Sequence, residues 1–207
     1  MRKVRTGVLL SGSGSNLQAL MDACRAPEFP AEISCVISNK ETAYGLTRAE
    51  QAGIPAVFVS HKCKSREEFA AEIDDILTRH TIDLVCLAGF MRILSADFIA
   101  KWDNRMLNIH PALLPKFGGE GMYGHHVHEA VIAAGETESG ASVHVVTAGC
   151  DEGPVVLQEK CPVLPEDTPD TLAARVLTIE HRLYPRALQE YVLRNTQLQI
   201  RNSRDKF

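Results

Sequence analysis

The sequence predicts a doubly wound α/β fold, a mostly parallel sheet with helices on both faces and antiparallel strands added near the C-terminal part. Three observations carry that expectation. Apolar runs of strand length alternate with segments of helical period from Val4 to His110. A glycine-rich loop, SGSGSN, follows the first apolar run and precedes the first helical one. After residue 140 two strand-like runs are joined by a turn too short for a crossover, and a long helical segment follows.

The elements read in order. Val4–Leu10 is a strand, and Leu17, Leu20, Met21 and Cys24 recur at helical spacing after it. Ile33–Ser38 is a second strand, Tyr44–Ala52 a helix ended by Gly53, and Ala56–Ser60 a third strand. Ser65-Arg66-Glu67-Glu68 has the pattern of a capping box and opens a helix to about His80. Asp83–Ala88 is apolar along most of its length, as a central parallel strand is. Ser95 caps a short helix to Trp102, and Met106–His110 is a fifth strand. Ala141–Thr147 and Pro154–Val163 are the antiparallel strands, and Pro169–Arg194 is a long helix packed across the sheet. Residues 1–194 read as a single domain and 195–207 as a polar tail.

Composition narrows the function classes. The 207 residues carry a formal net charge of -4 and a pI near 6.1, which does not suggest a nucleic-acid surface or a polybasic membrane patch. The opening apolar run is too short for a signal or membrane helix. The six cysteines form no CxxC pair, and Cys35 and Cys86 sit in apolar runs as small core residues. A reducing, cytoplasmic setting follows from this pattern.

The loop Ser11-Gly12-Ser13-Gly14-Ser15-Asn16 joins a strand to a helix start, where unpaired N–H groups favour an anion. Known nucleotide motifs fit it poorly. Leu17 stands where a dinucleotide fingerprint wants Gly or Ala, and Asn39-Lys40 stand where it wants a ribose-binding acid. The loop also lacks the lysine of a Walker motif, and Ser11 replaces the first glycine of a nucleophile elbow. A monophosphate cradle remains, with a merely tight turn as the alternative.

Asn108 and His110 stand two apart on a strand and so share a face at its C-terminal end, where ligands bind in open α/β sheets. An amide that donates to an oxyanion beside an imidazole that moves a proton suits acyl-group chemistry. The candidate orienting carboxylate is Asp151, in the turn between the last two strands. The alternative is that Asn108 caps a turn and His110 is a satisfied buried imidazole. With no Ser or Cys nucleophile in motif form nearby, direct attack by a substrate amine is the more natural chemistry.

The stretches SGSGSNLQAL, SNK, AGFMRILS, LNIHPALLP, SVHVV and DEGPVVLQ together resemble the phosphoribosylglycinamide formyltransferases, within the folate-dependent formyltransferase superfamily, from about Val4 to Tyr191. The resemblance implies a 10-formyltetrahydrofolate-dependent enzyme with no metal, acting on glycinamide ribonucleotide as monomer or homodimer. It implies that Asn108, His110 and Asp151 are catalytic and that Gly14, Ser15, Asn16 and Glu180 bind substrate. It implies that Arg66, Met91, Arg92, Ile93, Leu94, Asn108, Thr147, Ala148, Gly149, Cys150 and Asp151 contact the folate. Independently, Ile93 and Leu94 offer apolar walls to a flat pteridine, the Met91–Leu94 backbone offers edge hydrogen bonds, and Arg66 and Arg92 suit an anionic cofactor tail.

One stretch departs from the resemblance. Gly118 to Gly124 reads as an insertion beside the expected cleft, and His125, His126 and His128 follow it. A metal site there is disfavoured, because no Cys or further acid stands at ligand spacing; a helix start near substrate phosphate, or plain surface, is favoured. Rival activities are formyltetrahydrofolate hydrolase, expected to carry an additional N-terminal domain, and methionyl-tRNA formyltransferase, expected to carry a C-terminal tRNA-binding domain. A non-catalytic nucleotide-binding module is the rival from another class.

Overall fold

A computed structural model describes residues 2–195. The elements are β1 (Val4–Leu10), α1 (Ser15–Cys24), β2 (Ala31–Ser38), α2 (Tyr44–Gln51), β3 (Ala56–Phe58), α3 (Arg66–Arg79), β4 (Leu84–Leu87), α4 (Ala96–Lys101), β5 (Met106–His110), α5 (His125–Ala133), β6 (Glu138–Val145), β7 (Val155–Pro162) and α6 (Pro169–Arg194). Beyond Asn195, the expected polar tail lies outside the described residues.

The strands form one sheet in the order β3-β2-β1-β4-β5-β6-β7. Pairings among β1 to β5 are parallel; β6 runs antiparallel to both β5 and β7, so it alone is reversed. The expected architecture is thus the observed one. The order reverses between β1 and β4, and the loops leaving those strands part there to open a crevice.

Alternation along the strands feeds two cores. Val8 and Leu10 of β1, with Leu84 and Cys86 of β4, face α1, α2, α5 and α6. Leu9, Cys35, Ile37, Val85 and Met106 face α3 and α4 on the other side. Burial on both faces explains why the central strands read as continuous apolar runs. Cys35 and Cys86 are fully buried, and burial pushes each thiol up to about 12.

The helix starts follow local chemistry. Ser65 Oγ accepts from the Glu68 amide at 3.0 Å while Glu68 Oε2 accepts from the Ser65 amide at 2.7 Å, closing the expected capping box. Ser95 Oγ accepts from the Phe98 amide at 3.3 Å. Several boundaries differ from the sequence reading. β2 begins at Ala31 because Val4 pairs with it, and β3 stops at Phe58. β6 begins at Glu138, where it pairs with Pro162, and ends at Val145, so Thr147 belongs to a loop. α5, which the sequence reading offered only as a helix start or plain surface, buries Val127 and Val131 against the α6 side.

α6 locks the sheet at its middle. The Tyr184 ring is fully buried, and its hydroxyl lies 3.0 Å from the Leu87 carbonyl and 3.1 Å from the Leu107 carbonyl, bridging β4 and β5 beside the crevice. Tyr184→Phe is expected to lower unfolding free energy by about 1–2 kcal/mol, because it removes a buried donor from two carbonyls. Urea denaturation of the two proteins checks this.

Candidate active site

Asn108 and His110 lie on the face of β5 that also carries Met106, at the C-terminal end of the parallel strands. Antiparallel pairing sets Asn108 opposite His144 and His110 opposite Ser142 on β6. Cross-strand partners share a face, so a small polar patch forms in otherwise apolar sheet. The loop after β6 then brings Asp151 over that patch.

Three residues expected to act together do meet. Asp151 Oδ2 lies 3.5 Å from His110 Nδ1, and Asp151 Oδ1 lies 3.5 Å from Asn108 Nδ2. His144 joins them, with its Nε2 3.4 Å from Asp151 Oδ1 and accepting from Asn108 Nδ2 at 3.1 Å. This bond assigns the His144 proton to Nδ1, which donates to the Val145 carbonyl at 3.1 Å. The two Asn108 N–H groups thus face His144 and the Asp151 carboxylate, and the contact to Asp151 is the longer one.

Backbone from the loop after β5 completes the patch. His110 Nε2 donates to the Phe117 carbonyl at 2.7 Å, and the Gly119 amide donates to Asp151 Oδ2 at 3.1 Å. With Nε2 protonated, His110 turns its other nitrogen, Nδ1, toward the Asp151 carboxylate. A proton taken up at Nδ1 therefore makes an ion pair. Asp151 itself has φ of 58°, an uncommon left-handed conformation for a side-chain-bearing residue. Two residues later the turn closes so tightly that a Cβ on Gly153 would stand 1.8 Å from the Val145 carbonyl oxygen.

The electrostatics follow from burial. Desolvation lowers the His110 pKa below 6.5, against the opposing pull of Asp151 and of the Phe117 carbonyl. Burial pushes the Asp151 carboxyl up, but the neighbouring His144 and His110 imidazoles and the Gly119 amide together hold it below the usual carboxylate value.

The phosphate-loop candidates lie between the end of β1 and the start of α1. Gly14 has φ of 71°, and a Cβ there would stand 2.6 Å from the Gly45 Cα, so α2 presses directly on the loop. α2 also holds it by hydrogen bonds, with the Gly45 amide donating to the Gly12 carbonyl at 3.1 Å and Arg48 Nε donating to the Ser13 carbonyl at 2.9 Å. Ser15 and Asn16 open α1, whose first-turn N–H groups have no partner within the helix. Asn16 Nδ2 donates to Glu180 Oε2 at 2.6 Å, whereas Asn16 Oδ1 and His181 Nε2 are buried without a partner. Burial raises the Glu180 pKa, offset in part by the Asn16 bond.

The folate candidates divide. Met91, Arg92 and Ile93 are exposed after β4, but Leu94 packs into the α3–α4 core at 5% exposure and serves as floor rather than wall. The Met91 amide is already committed to Ser11 Oγ at 2.8 Å, which removes it from the expected set of edge donors. Arg66 is exposed at the start of α3, whose Phe69 stacks on Phe90 at 6.3 Å. Thr147, Ala148, Gly149 and Cys150 form the loop leading to Asp151.

Of the triple histidine stretch, His125 pairs with Asp170 at 2.5 Å and His126 with Glu129 at 3.3 Å, whereas His128 is buried. Among the described residues no group of three or more His, Cys, Asp or Glu side chains is arranged to hold a metal ion. Sequence reasoning missed His144, Phe117 and Gly119. The SVHVV alternation carries a signal for His144, a polar side chain repeated on one face of a buried strand; the two backbone groups carry none.

Comparison with known proteins defines the class. The chain belongs to the formyl transferase family, whose model matches residues 4–188. The Escherichia coli (strain K12) phosphoribosylglycinamide formyltransferase is 46% identical over 179 residues, 86% of this chain and 82% of that protein. The Homo sapiens trifunctional purine biosynthetic protein adenosine-3 is 50% identical over 189 residues, which are 91% of this chain but only 18% of that protein. Among solved structures, the phosphoribosylglycinamide formyltransferase from Brucella melitensis superposes with a TM-score of 0.86 at 47% identity, covering 92% of this chain and 96% of that one.

Two measurements test the electrostatics. Asp151→Asn removes the charge that raises the His110 pKa, so His110 should titrate lower than in the parent; NMR of the imidazole nitrogens reads this, and an unchanged value contradicts the coupling. Burial, with the His125 and His110 charges, lowers the His128 pKa from 6.5 to about 4. Between those values the unfolded chain binds more protons, so this contribution to stability is full above pH 6.5 and is lost as pH falls toward 4. Urea midpoints should therefore fall less steeply over that range in His128→Gln.

Proposed function

We propose that the protein is a phosphoribosylglycinamide formyltransferase of de novo purine synthesis. It transfers the formyl group of 10-formyltetrahydrofolate to the amine of glycinamide ribonucleotide, giving the N-formyl product and tetrahydrofolate. The observation that carries this reading is the meeting of Asn108, His110 and Asp151 in one crevice, between a loop suited to a phosphate and an exposed apolar edge. Identities of 46% and 47% to formyltransferases that act in this way by name support it.

The roles follow from the geometry. Gly14, Ser15 and Asn16 hold the substrate phosphate at the start of α1, and Glu180 takes the ribose hydroxyls. Met91 and Ile93 line the folate slot, Leu94 supports it, and Arg66 and Arg92 face the anionic tail. The Thr147–Asp151 loop closes the slot. As the amine adds to the formyl carbon, negative charge grows on the formyl oxygen, and the Asn108 N–H that meets Asp151 only at 3.5 Å turns to donate to it. That charge adds to the field of Asp151 and favours a proton on His110 Nδ1, which the burial of the imidazole otherwise resists. The proton lost by the attacking nitrogen passes by way of the Asp151–His110 pair to N10 of the departing folate. We place the enzyme in the cytoplasm, without a metal and acting on small molecules as monomer or homodimer; six unpaired thiols suit a reducing compartment.

A spectrophotometric assay with 10-formyltetrahydrofolate and glycinamide ribonucleotide tests the reaction. Folate product only in the presence of the ribonucleotide is the expected result, and equal release without it would make the protein a hydrolase. Asn108→Ala should lose roughly 10²–10³ in kcat through loss of the oxyanion donor; near-parent turnover in a folded variant contradicts that role.

A further inference from the structure

We infer that the Ser11 hydroxyl, oriented by Asn39, is a positioning group for the folate slot. The inference rests on the reaction proposed above and adds two residues that the reaction does not otherwise use. Ser11 and Asn39 are 3% and 4% exposed, at the ends of β1 and β2. Ser11 Oγ donates to Asn39 Oδ1 at 2.6 Å and accepts from the Met91 amide at 2.8 Å. The Ser11 amide donates to the Gly89 carbonyl at 3.0 Å. One residue thus makes two hydrogen bonds to the start of the slot, on either side of Phe90.

A hydroxyl has a single proton. Committing it to Asn39 leaves the lone pairs of Ser11 for the Met91 N–H, and two bonds in series in a dry environment polarise each other. Asn39 is fixed in turn, since Ser38 Oγ donates to the Lys40 carbonyl at 2.9 Å and accepts from the Lys40 amide at 3.0 Å. This accounts for an amide where dinucleotide folds place a ribose-binding acid. The position needs an acceptor for a buried hydroxyl, and a carboxylate there would bring an unpaired charge. The hydroxyl serves the folate slot alone, because the loop that follows Ser11 is held by α2 through the Gly12 and Ser13 carbonyls.

Steady-state kinetics and calorimetry of tetrahydrofolate binding test the assignment. In Ser11→Ala, the tetrahydrofolate Kd and the KM for 10-formyltetrahydrofolate should rise about tenfold, as for loss of one buried hydrogen bond. The kcat and the KM for glycinamide ribonucleotide should stay within about twofold, and Ser11→Thr, which keeps the hydroxyl, should restore most of the affinity. Should Ser11→Ala not be recovered folded, Asn39→Ala reads the same split, at about threefold, because the hydroxyl survives unoriented. Unchanged tetrahydrofolate affinity, or an equal rise in both KM values, overturns the assignment. A parent protein that binds no tetrahydrofolate sinks the proposed reaction instead.

Discussion

Antiparallel pairing of β6 with β5 is the constraint on which the rest of the site depends. Five parallel strands deliver their C-terminal ends to one edge, and β6 returns from that edge. Reversal sets His144 opposite Asn108 and Val145 opposite Leu107, where the chain leaves the strand. The loop to β7 is short, and its tight approach to Val145 at Gly153 fixes its path. Asp151 is consequently held over the patch despite an unfavourable backbone conformation. Local strain of this kind persists where surrounding structure over-determines the position.

Once placed, the carboxylate is surrounded. An amide, two imidazoles and a backbone N–H converge on it from three segments distant in sequence. The loop after β5 contributes through the main-chain atoms of Phe117 and Gly119, which explains why its side-chain composition does not reveal the part it plays. It also sets the His110 tautomer, because the Phe117 carbonyl takes the Nε2 proton and leaves Nδ1 facing Asp151. Burial and charge then oppose each other at His110, which leaves its protonation sensitive to any new charge in the crevice.

The binding regions on either side depend on packing as much as on motif. The loop between β1 and α1 keeps its shape because α2 bears on Gly14 and binds the carbonyls of Gly12 and Ser13. The edge after β4 stays exposed at Met91 and Ile93 because Leu94 and Phe90 anchor it to the α3–α4 core. Tyr184 of α6 bridges the two strands between these regions from beneath.

Alternating apolar runs, glycine turns and capping patterns determined the element order, the parallel sheet and the reversal near its end, because each depends on near neighbours in the chain. Strand spacing likewise put Asn108 and His110 on one face, and the turn between the last two strands, with the family resemblance, pointed to Asp151. The tertiary structure alone decided that His144 joins them, that Leu94 turns inward, that the Met91 amide is taken by Ser11, and that Phe117 and Gly119 hold the catalytic candidates by their backbones. Those contacts join residues far apart in sequence, and their partners are fixed by strand register and loop path, which no local pattern encodes.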